Sequence, residues 1–494
     1  MFVHELPTTG AISFADFVLT SGYSIEVAHT TEHRAKLRNV LKEHRKSAGD
    51  DNDLEQGDWL KVVQAVDEYL PYLLAMFNCV QVDEVIFKLE PEFSWRTTLS
   101  SHIFRSSPRI SLRGLHYEVC AVLLLYGTAL SNFAAAIVAS LGNYELERTL
   151  QDAERKQRDD KLKRAADTFC QAAGIFEYLS QVMIPRWEER ASCLDGRPPD
   201  LTREVTMALS KMALADAQLL SIRKLLSAAV SEANDFNTPG PPLPKGHPSA
   251  SLLAKLYLNA ASLYETASSL ATTISKKGAV AANSNLAVDA YEDVQAKASK
   301  KPGKLLAKFK DAITVDHGDE VGSGLLTYLS ASASVSRALA YKWLGIDAGE
   351  NGERYGEGIT FLRVAEENIS IKKDRLNFSS SRSKSSRAEL KTIQEQELKN
   401  VQHWLRAYTK MNDTVAFKPV PPASELQVKI PAGRAVLSVK TFELPPVKFG
   451  PGSENYTHRS IDAAHGLEGS LAAMDLQNQA KPAAAKYAGA NAYY

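Results

Sequence analysis

Three residues near the N-terminus have the spacing of a metal-binding motif. His29, Glu32 and His33 occur in the order H-x-x-E-H within AHTTEHRAKL, residues 28–37. Histidines four positions apart share one face of a helix, and a nearby glutamate can act as a general base. Because this is the order of the inverted zinc-protease motif, one hypothesis is a zinc hydrolase that uses these three residues.

The rest of the sequence argues against that chemistry. A zinc site needs a third protein ligand, and the acidic residues downstream fall in strand-like sequence rather than in a second helical ligand motif. His33 lies beside the apolar stripe of its own helix, where a histidine usually packs or forms a hydrogen bond. The sequence has no GxSxG elbow, no Walker A motif and no GxGxxG after a strand. We therefore expect a scaffold with no metal or cofactor, not an enzyme.

The composition indicates a large globular chain without a bulk charge preference. Apolar residues make up 44% of the 494 residues, and 58 basic residues balance 58 acidic ones. This neutrality gives no argument for nucleic acid or an acidic membrane as the principal partner. The four cysteines lie far apart, which is typical of a reducing cytosol.

One stretch has the length of a membrane span. Residues 119–144 contain no charged side chain. Polar residues interrupt the stretch, however, and no basic cluster flanks it closely. We favour a buried helix of a large helical protein and keep an integral membrane protein spanning 119–141 as an alternative.

The apolar periodicity predicts an almost entirely helical chain. Strand-like alternation is limited to the first 20 or so residues and to 84–96. Helical spacing predicts helices at 26–46, 57–80, 114–141, 158–182, 201–233, 249–275, 321–346, 353–372 and 386–411. Residues 238–248, TPGPPLPKGHP, are interpreted as an inter-helix loop, with an SH3-type polyproline ligand as the alternative. Because small residues recur inside the helices, they can approach closely, as in a degenerate solenoid.

The helix predicted at 249–275 is a candidate binding surface. Leu253, Tyr257 and Tyr264 form one apolar stripe, while Leu252 and Leu256 begin a second, rotated stripe. Either the helix is central and buried all round, or the second stripe lines an open groove for an amphipathic partner helix. The residues alone favour burial.

Several segments, in the right order, resemble the BRO domain family of ESCRT-associated proteins. His116 and Leu125 replace the glycine and the asparagine that the family has in its long apolar helix. The segments are EFSWRTTL (92–99), LHYEVCAVLLLYGTALSNFAA (115–135), KLKRAADTFCQAAGIFEYL (161–179), MALADAQLLSIRK (212–224), ERYGEGITFLRVAE (353–366) and NDTVAFKPVPP (412–422). The resemblance implies an all-α, curved, TPR-like solenoid with a small N-terminal β element.

The resemblance also implies a partner and a site. Family members bind the C-terminal amphipathic helix of the main ESCRT-III filament subunit in a hydrophobic groove. Leu252 and Leu256 match groove positions, Ile222 lies beside the position of a groove phenylalanine that is Ser221 here, and Val415 matches a conserved isoleucine. Ala416 replaces the tyrosine that follows that isoleucine, so the chain resembles a divergent subfamily.

The layout of the chain favours one branch of the family. We expect a BRO domain at 1–445 and a disordered Gly-, Ala- and Tyr-rich tail at 446–494, which matches the short fungal members that act in ambient-pH signalling. These members are implied to couple an alkaline-pH sensor and arrestin-like complex to ESCRT-III and to a cysteine protease that activates a transcription factor. General endosomal sorting in multivesicular bodies is the alternative. We expect a cytoplasmic protein that its partners recruit to plasma-membrane or endosomal puncta.

Overall fold

Long helices account for most of the described chain. The computed structural model describes residues 1–47, 56–100, 108–147, 150–190, 196–236, 240–244, 246–292, 321–370, 384–454 and 456. The helices are α1 (Ser24–Ser47), α2 (Gln56–Gln81), α3 (Leu115–Leu141), α4 (Asp152–Tyr178), α5 (Ile184–Arg190), α6 (Arg203–Phe236), α7 (Ala250–Glu292), α8 (Ser323–Gly352), α9 (Tyr355–Ser370) and α10 (Lys384–Met411). All nine predicted helices are confirmed, most of them to within three residues at each end.

Four short strands form two small antiparallel sheets near the N-terminus. β1 (Val18–Ser21) pairs with β2 (Val85–Phe87), and β3 (Glu92–Arg96) pairs with β4 (Arg109–Arg113). The strand-like sequence at 84–96 predicted β2 and β3. β4 was missed.

The long helices pack in the order in which they occur along the chain. α1 packs on α2, α2 on α3, α3 on α4, α4 on α6, α6 on α7, and so on to α9 on α10. One large core joins the small sheets to the first helices, and a second core joins α6 and α7 to α8, α9 and α10. This neighbour-to-neighbour packing is the helical array that the sequence predicted.

A buried ion pair fixes the N-terminal sheets to the helices. The Glu118 carboxylate on α3 accepts hydrogen bonds from Arg34 Nε at 2.8 Å, Trp95 Nε1 at 2.7 Å and the Tyr69 hydroxyl at 3.1 Å. The Arg34 guanidinium also donates to Thr9 Oγ1 at 2.8 Å. Since the charges of Arg34 and Glu118 are buried, each depends on the other for its stability in the core.

Two helices that contain a long apolar window are core helices. Leu115–Leu146 and Arg203–Ser231 are long and apolar enough to cross a bilayer by length and composition, and 83% and 78% of their most apolar windows are buried in the protein. α3 packs between α2 and α4, and α6 packs between α4 and α7. This packing accounts for the uncharged stretch at 119–144 without a membrane span.

Candidate partner-binding groove

α6 and α7 bring three of the four predicted site residues into one region. Ile222 lies on α6, and Leu252 and Leu256 lie on α7. All three belong to, or pack against, the core that α6 and α7 share with α8, α9 and α10. Leu252 is half-buried, whereas Ile222 is 1% exposed and Leu256 is 0% exposed. Leu256 and Ile222 are therefore core residues that a partner cannot touch directly, and we call them the floor residues.

The two apolar stripes of α7 have different surroundings. Leu253 and Tyr264 of the first stripe are fully buried. In the second stripe Leu256 is buried as well, while Leu252 and Leu263 stay half-buried. Among the stripe residues, the preference for burial thus holds for Leu253, Leu256 and Tyr264, whereas Tyr257 is half-buried and an open edge remains at Leu252.

An extended segment of the chain crosses α6 and α7 beside this edge. We call residues 430–454, together with Tyr456, the C-terminal strap. The Arg434 N–H donates to the Lys255 carbonyl on α7 at 2.9 Å, and Gln218 Nε2 on α6 donates to the Arg434 carbonyl at 3.1 Å. Gly433 lies directly against the backbone of Asn259, so a Cβ at this position would meet that backbone. The strap therefore forms one wall of the region that contains Leu252.

The strap continues along the helical body to the N-terminal sheets. The Lys440 N–H donates to the Cys170 carbonyl at 3.2 Å, and the Phe442 ring packs on Tyr126 and Tyr178. Phe449 is buried against Tyr23 and Tyr72.

The Tyr456 hydroxyl donates to Glu84, and this hydrogen bond raises the pKa of Tyr456. Packed chain thus extends past the expected domain end at 445 as far as Tyr456. The rest of the predicted disordered tail, 457–494, lies outside the described residues.

A leucine that the sequence reasoning missed adds accessible apolar surface. Leu225 on α6 is 41% exposed. It follows Gln218 by two helical turns and therefore lies on the face of α6 that meets the strap. We define the α6–α7 groove by Leu225, Leu252, the floor residues Ile222 and Leu256, and the strap at Arg434. The helical spacing of Leu225 from Ile222, three residues earlier, was the signal that could have identified Leu225.

The fourth predicted residue lies on a separate turn. Val415 is 68% exposed on the turn after α10, which packs on α9 and α10. Asn412 holds this turn, since its side chain donates to the Lys418 carbonyl at 3.0 Å and accepts the Lys418 N–H at 2.9 Å. Phe417 adopts a left-handed conformation with φ of 50° and is 74% exposed. Val415 is therefore available to a partner, but on a different surface element from Leu252.

The H-x-x-E-H motif lies on α1, where its histidines contact Glu32 and Tyr72. His29 Nδ1 lies 3.4 Å from Glu32 Oε2, and the His33 ring stacks on Tyr72 with 4.6 Å between ring centroids. In the part of the chain that the structure describes, no three His, Cys, Asp or Glu side chains lie close enough together to hold a metal ion. The arrangement gives no support to the zinc-hydrolase hypothesis.

Comparison with known proteins decides the family. The family model of the BRO1-like domain matches residues 18–453. The chain belongs to the BRO1-like domain family. It is 36% identical over 476 residues to the pH-response regulator protein palC of Cryptococcus neoformans, covering 91% of this chain and 93% of the relative. It is 24% identical to palC of Yarrowia lipolytica over 510 residues, covering 100% of this chain and 99% of that protein.

A solved BRO1 structure has the same fold. The chain matches the ALIX BRO1–CHMP4C complex with a TM-score of 0.51 and 18% identity, covering 92% of this chain and 98% of that one. The membership confirms the resemblance and the helical fold class that the sequence predicted. At the level of the family, the match to the BRO1-like domain and the shared name of the relatives, pH-response regulator, support an ESCRT-associated adaptor and point to a family of regulators that are not catalysts.

Proposed function

We propose that this BRO1-like protein binds the C-terminal amphipathic helix of the main ESCRT-III filament subunit at the α6–α7 groove. The observation that carries the proposal is that Leu225 on α6 and Leu252 on α7, two helices that pack on each other, both keep accessible apolar surface. An amphipathic helix can bury its apolar face on such a surface. The CHMP4C partner of the ALIX BRO1 domain supports this class of ligand.

The accessible area sets the strength of the interaction. If Leu225 and Leu252 each bury about 50 Å², the gain is about 2–3 kcal/mol at about 25 cal/mol per Å². Ordering a peptide helix opposes part of that gain. Since the floor residues Ile222 and Leu256 are already buried, they support the surface without adding contact area. Binding of one partner helix at one groove is therefore weak. The filament presents many copies of this helix, so avidity strengthens the attachment.

The proposed cellular role is to couple ambient-pH sensing to ESCRT-III. The shared name of the two relatives, pH-response regulator, favours this role over general endosomal sorting. The partners on the sensing side are an alkaline-pH sensor with its arrestin-like protein, together with the cysteine protease that activates the transcription factor. The protein acts in the cytoplasm at plasma-membrane or endosomal puncta.

Complementation tests the cellular role. A Cryptococcus neoformans strain that lacks its own palC receives this chain, the Leu225→Asp/Leu252→Asp variant, or the control Leu19→Asp on β1, which is 62% exposed. The proposal expects alkaline growth and transcription-factor cleavage with the wild type and the control, and neither with the groove variant at equal protein level. Alkaline growth restored by the groove variant would show that the function does not need the groove. Failure of the wild-type chain would contradict the pH role.

A further inference from the structure

The outer face of the β3–β4 sheet carries two arginines directly opposite each other. Arg96 on β3 and Arg109 on β4 are Cα partners in the antiparallel register, so their side chains leave the same face of the sheet. The other two pairs on this face are compatible: Glu92 opposes Arg113, and Ser94 opposes Ser111. Like charges directly opposite each other destabilise a sheet. We therefore expect the Arg96–Arg109 pair to destabilise the β3–β4 sheet.

A hydrogen bond to Thr8 holds the Arg109 side chain over the sheet. The Arg96 N–H donates to the Thr8 carbonyl at 3.0 Å, which places Thr8 along the free edge of β3. Arg109 Nη2 donates to Thr8 Oγ1 at 3.1 Å. Thr8 and β4 lie on opposite edges of β3, so the Arg109 side chain must cross β3 to reach Thr8. The Arg109 guanidinium therefore lies on the β3 side of the sheet, close enough to act on Arg96, while part of it stays exposed.

A third cation comes from the last turn of α1. Burial lowers the pKa of Arg96, and the nearby charges of Arg45 and Arg109 lower it further, while Glu5 acts in the opposite direction. Arg45 and Arg109 are exposed, and Arg96 is partly exposed. Arg96 and Arg109 thus lie on one face of the sheet with Arg45 near enough to act on Arg96. The acidic groups near these three are Glu5, which acts on Arg96, and Glu43, two residues before Arg45 in the sequence.

The surroundings of the site indicate what kind of anion fits. Ser94 and Ser111 present hydroxyl groups on the same face of the sheet, and Lys42 and Lys46 are exposed on the last two turns of α1. A phosphomonoester carries a charge of about −1.5 to −2 and accepts several charge-assisted hydrogen bonds, so it can offset an excess of about two positive charges. The lysines around the three arginines add positive charge, which favours a phosphorylated headgroup in an anionic membrane.

We propose that Arg45, Arg96 and Arg109 form a binding site for the phosphomonoester groups of an inositol phosphate, presented by a phosphoinositide lipid. The site lies on the N-terminal sheet and is separate from the α6–α7 groove. It would give the protein a membrane contact of its own, in addition to recruitment by partners. The bound anion offsets the repulsion between Arg96 and Arg109, which gives the unfavourable pair a function.

Vesicle co-sedimentation and thermal shift test the site with the full chain. The vesicles contain phosphatidylcholine with either phosphatidylinositol bisphosphate or enough phosphatidylserine to give the same surface charge, and free inositol trisphosphate is the soluble probe. The variants are Arg45→Gln, which leaves the β3–β4 pair intact, and Arg45→Gln/Arg109→Gln. The control is Arg113→Gln, because Arg113 is paired with Glu92 at 3.8 Å.

The proposal expects preferential binding to the phosphoinositide vesicles and a rise in melting temperature with inositol trisphosphate. In the double variant, the affinity for phosphoinositide vesicles and the rise in melting temperature should each be at least fivefold smaller than in the wild type. Arg45→Gln should reduce both by less, and Arg113→Gln should leave both unchanged. A thermal shift without vesicle binding would assign the same phosphate chemistry to a soluble ligand instead of a lipid. Equal binding to phosphatidylserine vesicles, or binding that both arginine variants retain in full, would overturn the site. Melting temperatures without ligand establish that each variant is folded.

Discussion

The side chain of Gln218 holds the backbone of the strap at Arg434. Gln218 Nε2 donates to the Arg434 carbonyl, and Gln218 Oε1 accepts the N–H groups of Val436 and Leu437 at 3.2 and 3.3 Å. One fully buried amide thus satisfies three backbone groups that lie more than 200 residues away in sequence. We expect Gln218→Leu, which has a similar volume but no polar group, to release this part of the strap.

Hydrogen exchange measures that release. Each unmade hydrogen bond costs about 1–3 kcal/mol when its group stays buried, so the strap should open locally and exchange at least about tenfold faster at 434–437. Gln402→Leu is the matched control, since Gln402 bonds Glu366 between α9 and α10. Unchanged exchange at 434–437 in Gln218→Leu would show that other contacts hold the strap.

A second prediction concerns the glycine on which the strap rests. A Cβ at Gly174 in α4 would overlap the Lys440 carbonyl, whereas a Cβ at Gly324 in α8 would meet nothing within 4 Å. Alanine normally stabilises a helix by about 0.5–1 kcal/mol relative to glycine. We therefore expect Gly324→Ala to raise the melting temperature and Gly174→Ala to lower it and to expose the strap to proteolysis. A rise for both variants would contradict the packing at Lys440.

The buried ion pair gives a prediction about stability. Glu118→Gln leaves the Arg34 charge in the core without a counter-charge, and removing one partner of a buried pair costs about 3–5 kcal/mol. Urea unfolding should show a loss of this size. The exposed pair of Lys36 and Glu68 is the control, because its side chains are 56% and 42% exposed and Glu68→Gln should cost less than about 1 kcal/mol. Equal losses in the two variants would contradict the account of the core.

The stability of the protein should depend on pH through His4. Burial lowers the pKa of His4 from 6.5 to about 4, and its side chain is nearly inaccessible. Between these values the unfolded chain binds a proton that the folded chain does not, so stability is full above pH 6.5 and decreases as the pH falls towards 4.

We expect His4 to account for a loss of about 2 kcal/mol between pH 7.5 and 5. His4→Phe keeps a ring beside Phe2 and removes the titrating group. Unfolding titrations at the two pH values should show a smaller decrease for this variant. An identical decrease in both proteins would mean that His4 does not titrate as a buried group.

Apolar periodicity was sufficient to predict the helices because each helix buries one face over many turns. The helix predicted at 57–80 is observed at Gln56–Gln81. β4 was missed because the extended form of RISLR depends on its pairing with β3. The path of the strap could not be predicted either, since it depends on contacts such as Gln218 with Arg434 that no local pattern encodes.

The helices that carry the proposed groove residues were predictable, but the accessibility of those residues was not. The family resemblance located Leu252, Leu256 and Ile222 on adjacent helices, as the structure shows. The burial of Leu256 depends on α8, α9 and α10, which come later in the chain. A charge at Leu256 would therefore disrupt the core, and Leu252 and Leu225 are the better positions for testing binding.

The central claim is that the α6–α7 groove binds the ESCRT-III helix. The most direct measurement is a fluorescence-anisotropy titration of a labelled C-terminal helix peptide of the filament subunit with the full chain. The variants are Leu225→Asp/Leu252→Asp and Val415→Asp, and Leu19→Asp on β1 is the control.

The account predicts saturable binding by the wild type and the control. It also predicts affinity at least about tenfold weaker for the groove variant at unchanged helical circular dichroism. Val415→Asp shows whether the turn after α10 contributes to the interface. Absence of saturable binding by the wild type, or equal binding by the groove variant, would contradict the claim.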